Sequence, residues 1–167
     1  MDRPMSWTNG DSSQARHRGE GRVLAIDLGT RRIGLAVSDP LRLIAQGLPT
    51  YHRQNKRQDL GRLNSLVREY EVSLIVVGNP VNMNGTEGTQ SAKAREFAGE
   101  LEQGLDVAVE MWDERLTSVE ANRVLDESGV DRNKRAEVVD RVAAVLLLEN
   151  FLDSHRTPPS PAPESEG

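Results

Sequence analysis

The first sustained pattern in the chain is a pair of apolar runs, Val23-Leu24-Ala25-Ile26 and Ile33-Gly34-Leu35-Ala36-Val37, separated by a short stretch that contains Gly29. Two such runs joined by a Gly-containing turn predict a β-hairpin over about 22–39. Asp39-Pro40 is a turn signal, and Leu43 to Tyr51 predicts a third strand that Gly47 and Pro49 push towards a sheet edge. Leu60, Leu63, Val67 and Tyr70 recur at helical spacing, so a helix is expected over roughly 56–71. Ser73 to Gly78 is a short apolar run rich in β-branched residues, the mark of a strand covered on both faces.

Asn79 to Gly88 reads as a loop, and Ala94, Phe97, Ala98 and Leu101 place a second helix over Gln90 to Gln103. Val107, Val109 and Met111 alternate with polar positions, which predicts a strand over Asp106 to Trp112. Thr117-Ser118-Val119-Glu120 is a capping box, and the helix it opens is expected to stop at Gly129. Residues 129–135 read as a basic loop, and Glu137 to Asp153 as a strongly apolar final helix. The order β-β-β-α-β-α-β-α-α implies an α/β fold: a mixed five-stranded sheet, three antiparallel strands and then alternating helices and strands, with helices on both faces.

The polar ends of the chain lack such patterning. Residues 1–20 have few large apolar side chains, and residues 154–167 hold four of the eight prolines. Both are expected to be disordered tails flanking one folded domain over 21–153. No apolar run approaches the roughly 18 residues of a membrane span, and no secretory signal is visible at the start. There is no Cys, which excludes disulfides, thiolate metal sites and a cysteine nucleophile and fits a cytoplasmic protein. The net charge of −5 opposes nucleic-acid binding unless basic patches or metal ions overcome it locally. Three patches are present: Arg31-Arg32, then His52, Arg53, Lys56, Arg57 and Arg62, then Arg132, Lys134, Arg135 and Arg141. Each is also readable as an ordinary solvated face.

Asp27 breaks the pattern, a carboxylate at the end of an otherwise apolar strand, where burial is costly without a cation or hydrogen bonds. Asp113 and Glu114 end the last strand, and Asp140 sits in the final helix with Ala143 and Ala144 on its face. Ligands of open α/β sheets bind beyond the carboxyl ends of the strands, so these acids can converge. Hard divalent ions take such oxygens, and two of them about 4 Å apart can stabilise the attacking and leaving oxygens of phosphodiester cleavage. Each acid has a plainer reading. Asp27 could bond its own turn, Asp113 or Glu114 could pair with Arg115 or cap a helix, and Asp140 could pair with Arg135 or Arg141. The three histidines, His17, His52 and His155, are not in metal-binding spacing and receive no role.

Four ordered motifs resemble the YqgF (RuvX) family of pre-16S rRNA nucleases and Holliday-junction resolvase-like proteins. They are Asp27-Leu28-Gly29-Thr30-Arg31-Arg32-Ile33-Gly34 with Ser38-Asp39, Gly78-Asn79-Pro80 with Asn82 to Glu87, Asp113 to Ser118, and Asp140 with Ala143-Ala144. Asn79 stands where Leu is usual, and Ser118 where Thr is common. The resemblance implies an RNase H-like fold and a nuclease dependent on Mg²⁺ or Mn²⁺, acting in 5′-end maturation of 16S rRNA. By motif match Asp27, Glu114 and Asp140 would be the catalytic carboxylates and metal ligands, with Asp113 a secondary candidate. Asp27 would bridge two ions, and Glu114 and Asp140 would each complete one. Arg31, Arg32, Arg132, Lys134 and Arg135 would hold the phosphate backbone, and the 79–88 loop could position the scissile strand. Branched DNA is the alternative substrate, and a non-catalytic ribosome-assembly factor the alternative role; monomer and homodimer are both open. An actin-like or sugar-kinase ATPase opens with a similar hairpin, but about 133 folded residues leave no room for its second domain.

Overall fold

The computed structural model describes residues 21–80, 88–113 and 132–155. The expected hairpin forms from β1 (Arg22–Leu28) and β2 (Arg32–Ser38), which pair antiparallel with Asp27 opposite Gly34. The turn between them is closed by the Gly29 N–H donating to the Arg32 carbonyl at 2.8 Å. β3 (Ala45–His52) pairs antiparallel with β2, β4 (Val72–Asn79) parallel with β1, and β5 (Ala108–Asp113) parallel with β4. The resulting order, β3-β2-β1-β4-β5, puts β3 at an edge, as Gly47 and Pro49 predict, and the most apolar strands in the middle.

Strand alternation divides the core between two faces. Leu24, Ile26, Ile33, Leu35, Ile75 and Val77 pack beneath helices α1 (Lys56–Glu69) and α2 (Thr89–Gly104), through Leu63, Leu66, Phe97 and Leu101. Val23, Ala25, Ala36, Leu74 and Val76 pack beneath helix α3 (Arg132–Ser154), through Ala144, Leu147, Leu148, Phe151 and Leu152. The small residues Ala25 and Ala36 lower this second face, so that α3 lies close across β1, β2 and β3.

Three boundaries differ from expectation. β5 begins at Ala108 rather than Asp106, because Val107 already packs into the core ahead of the paired residues. α3 starts at Arg132, so Arg132, Lys134 and Arg135 belong to its first turn and not to a loop. Its other end reaches Ser154, and His155 stacks on Phe151 with centroids 4.1 Å apart, inside the range expected to be tail. Trp112 closes this aromatic group edge-on to Phe151 at 5.3 Å. The predicted helix over 117–128 lies outside the described residues, as does most of the 79–88 loop.

The β2–β3 connection is fixed by Asp39, whose carboxylate accepts backbone N–H groups of Leu41, Leu43 and Ile44 at 3.2, 2.6 and 2.8 Å. Arg42, at a φ of 59°, buries its guanidinium against the Gly21 carbonyl at 2.9 Å and the Ser73 hydroxyl at 3.2 Å.

Candidate functional site

Asp27 is at the carboxyl end of β1 and shares the strand face of Val23 and Ala25, which is the face that α3 covers. Its register partner Gly34 explains how Asp140 reaches the same place. A Cβ at residue 34 would lie 2.1 Å from the Asp140 carbonyl oxygen, well inside any permitted contact. Glycine there lets the α3 backbone rest on the strand, level with Asp27. Ala143 and Ala144, both buried, keep the following turn equally close. On the next strand out, Gly47 makes room for the aliphatic stem of Arg141.

Asp140 is 19% exposed and accepts a hydrogen bond from Arg32 Nε at 2.7 Å. The cation that meets this carboxylate is therefore Arg32, across the sheet, and neither of its near neighbours in sequence. Gly29, Thr30, Arg31, Arg32 and Asp140 line a cavity of about 260 Å³. It is walled on one side by the β1–β2 turn and on the other by α3.

Asp113 is not brought to this face. Along β5, Ala108 and Trp112 pack on the α3 side, while Val109 and Met111 pack on the side of α1 and α2. Alternation sends Asp113 with the second set, away from Asp27 and Asp140. Glu114 lies outside the described residues, and among those described no three acidic or histidine side chains come together. Arg31 is exposed at the hairpin turn.

Behind the turn is a buried group that the sequence reading did not single out. Asp59 on α1 is 1% exposed. It accepts the Gln54 N–H at 2.9 Å and Arg53 Nε at 3.2 Å. Arg53 in turn donates through Nη1 to the Gly29 carbonyl at 3.0 Å, and its backbone N–H donates to the Arg31 carbonyl at 2.9 Å. The guanidinium carbon lies 5.6 Å from the centre of the Phe97 ring. Burial, and then the hydrogen bond and charge of Asp59, raise the Tyr51 hydroxyl above its ordinary pKa. A signal for this group was present: Asp59, Leu63 and Leu66 follow helical spacing, which puts an acid in the buried stripe. Asn79, the departure from the family pattern, is buried and accepts a hydrogen bond from the Ser91 hydroxyl of α2.

The model of the RuvX family, described as Holliday junction resolvase, matches residues 21–154. A protein of Koribacter versatilis, provisionally named a pre-16S rRNA nuclease, is 56% identical over 133 residues, covering 80% of this chain and 87% of that protein. A protein of the same name from Myxococcus xanthus is 48% identical over 137 residues, covering 82% and 91%. Among solved structures, the fowlpox virus resolvase with Holliday junction DNA aligns with a TM-score of 0.50 at 10% identity, over 81% of this chain and 99% of that one. That likeness concerns the RNase H-like fold alone.

Proposed function

Because the chain belongs to the RuvX family, we propose that it is a metal-dependent nuclease that cuts phosphodiester bonds of precursor 16S rRNA during 5′-end maturation in the cytoplasm. The observation that carries this reading is the approach of Asp140 to the end of β1, over a glycine that is the register partner of Asp27. Two carboxylates from opposite ends of the chain are thus held on one face by backbone packing.

Oxygen donors of this kind suit Mg²⁺ or Mn²⁺. Asp27 and Asp140 would hold the ion, with Glu114 as a further ligand. A bound divalent ion supplies an activated water and stabilises the leaving oxygen. The protein's own groups do the rest. Asp27 and Asp140 present their oxygens from two rigid elements. Arg32 balances the charge of Asp140, and Arg31 stands at the mouth of the cavity where a phosphate would enter. Arg135, with Arg132 and Lys134 in the first turn of α3, extends the basic path.

Replacing Asp27 with Asn tests the reading. The folded variant is expected to lose at least about 100-fold in the rate of cutting a labelled RNA that spans the precursor end, since metal-assisted stabilisation amounts to several kcal/mol. Undiminished cutting would remove Asp27 from the mechanism. The family description and the fowlpox likeness favour a second substrate, the four-way DNA junction. Parallel assays of RNA and junction in Mg²⁺ and in Mn²⁺ separate the two, and binding without cutting of either would favour an assembly factor.

A further inference from the structure

Next to the acid cavity is a larger cleft of about 530 Å³, between the β1–β2 turn and the start of α1. Thr30 and Arg31 line both, so the two form one path with Arg31 as the ridge between them. The cleft is lined by four basic side chains, Arg31, His52, Arg53 and Lys56, against one acid, Asp59, in a protein whose net charge is −5. Its basic groups divide into two kinds. Arg53 is a fixed wall, held by Asp59, the Gly29 carbonyl and the Phe97 ring. Arg31, His52 and Lys56 are at the surface and able to meet a ligand.

Among the described residues the Arg31 guanidinium has no hydrogen-bond or ion-pair partner. Lys56 Nζ is 2.9 Å from Glu100 of α2, and His52 Nε2 is 2.6 Å from Glu137 of α3. Both acids lie outside the cleft lining, so they hold these two cations at its rim. The Lys56 and His52 side chains are 66% and 59% exposed. Ion pairs so exposed contribute about 0–1 kcal/mol and exchange readily for a phosphate.

We propose that this cleft is a second phosphate subsite, taking the phosphodiester next along the strand that lies over Asp27 and Asp140. Arg31 and Lys56 make the contacts, with His52 joining them when protonated. The site rests on the nuclease reading and extends it: the strand is gripped on the α1 side of the cavity as well as at the start of α3. The sequence alone left His52, Arg53 and Lys56 as a basic patch with no assigned part in binding.

The test compares wild type, the double variant Arg31→Ala/Lys56→Ala, and Arg68→Ala, which removes an exposed charge from the far end of α1. Binding is measured in Ca²⁺ and cutting in Mn²⁺, with RNA and with DNA of one sequence, as a series of lengths either side of the cut. For strands long enough to reach the cleft, the double variant is expected to raise KM about tenfold, with the effect in KM rather than kcat. The slope of log affinity against log salt should fall by about 0.7 for a lost contact to a single strand. Strands too short to reach should not tell the double variant from wild type. Equal affinities and salt slopes for long strands would overturn the subsite, and so would an equal loss in Arg68→Ala, which would make the effect one of overall charge. In either case abolished cutting by Asp27→Asn would leave the nuclease reading standing. Failure of the wild type to bind or cut any strand would sink both.

Discussion

Gly34 shows how much of the site depends on one missing methyl group. Gly34→Ala sets a Cβ against the α3 backbone, which cannot swing aside as a side chain would. The helix must shift, and overpacking of this kind costs about 1–3 kcal/mol. We expect a lowered denaturation midpoint together with weakened Mn²⁺ binding, read by titration; an unchanged midpoint would mean that the helix adapts freely. Asp39 sets a different dependence. Burial would raise its pKa, but the N–H groups of Ile44, Leu43 and Leu41 outweigh burial and hold it below the ordinary 3.8. Between its unfolded and folded pKa the unfolded chain binds the proton more readily, so stability rises with pH there. The contribution is present above about pH 3.8 and lost as pH falls through the folded value; Asp39→Asn should lack this acid-side fall in urea unfolding curves. At this scale the sequence was readable where an acid interrupts a pattern. Asp27 ends an apolar strand, and Asp140 shares a helix face with alanines. Asp59 escaped because its spacing matches the helix period so well that it reads as one more turn of the stripe.

The hairpin and α1 act as one element through Arg53. The guanidinium ties the Gly29 carbonyl to a carboxylate on the helix, and the backbone N–H of the same residue ties Arg31. Asp59→Asn leaves Arg53 without its counter-charge. Breaking a buried pair costs about 3–5 kcal/mol, and with Arg53 28% exposed a loss nearer 2–3 kcal/mol is expected by urea unfolding. The Tyr51 pKa should also fall back part of the way towards its ordinary value in an ultraviolet titration, leaving the portion due to burial. An unmoved Tyr51 would break the link between helix and strand. Strands and helices were legible from periodicity, since the two faces of the sheet follow the alternation of large and small residues. The ends of α3 were not. Polar, basic residues at 132–135 look like loop in a one-dimensional reading, and the stacking of His155 on Phe151 joins α3 to Trp112 of β5, a contact that no local pattern contains.

Across the whole molecule, order in the chain and order in space differ, and that limited what the sequence could decide. Asp113 and Glu114 are neighbours that look alike as ligands. Their difference appears only when β5 is set in register beside β4 and alternation sends Asp113 to the far face. The convergence of Asp27 and Asp140 likewise needed the sheet order and the course of α3 across three strands.

Arg32 and Asp140 are 108 residues apart, one near the beginning of the fold and the other in its last helix. A chain is synthesised from its amino terminus, so the hairpin that bears Asp27 emerges long before α3. Until that helix arrives, half of the site is missing and the small-residue face of the sheet is uncovered. A nascent copy is thus born without the means to cut. For an enzyme whose proposed target is the precursor of the ribosome that is making it, completion of its own synthesis is the event that arms it.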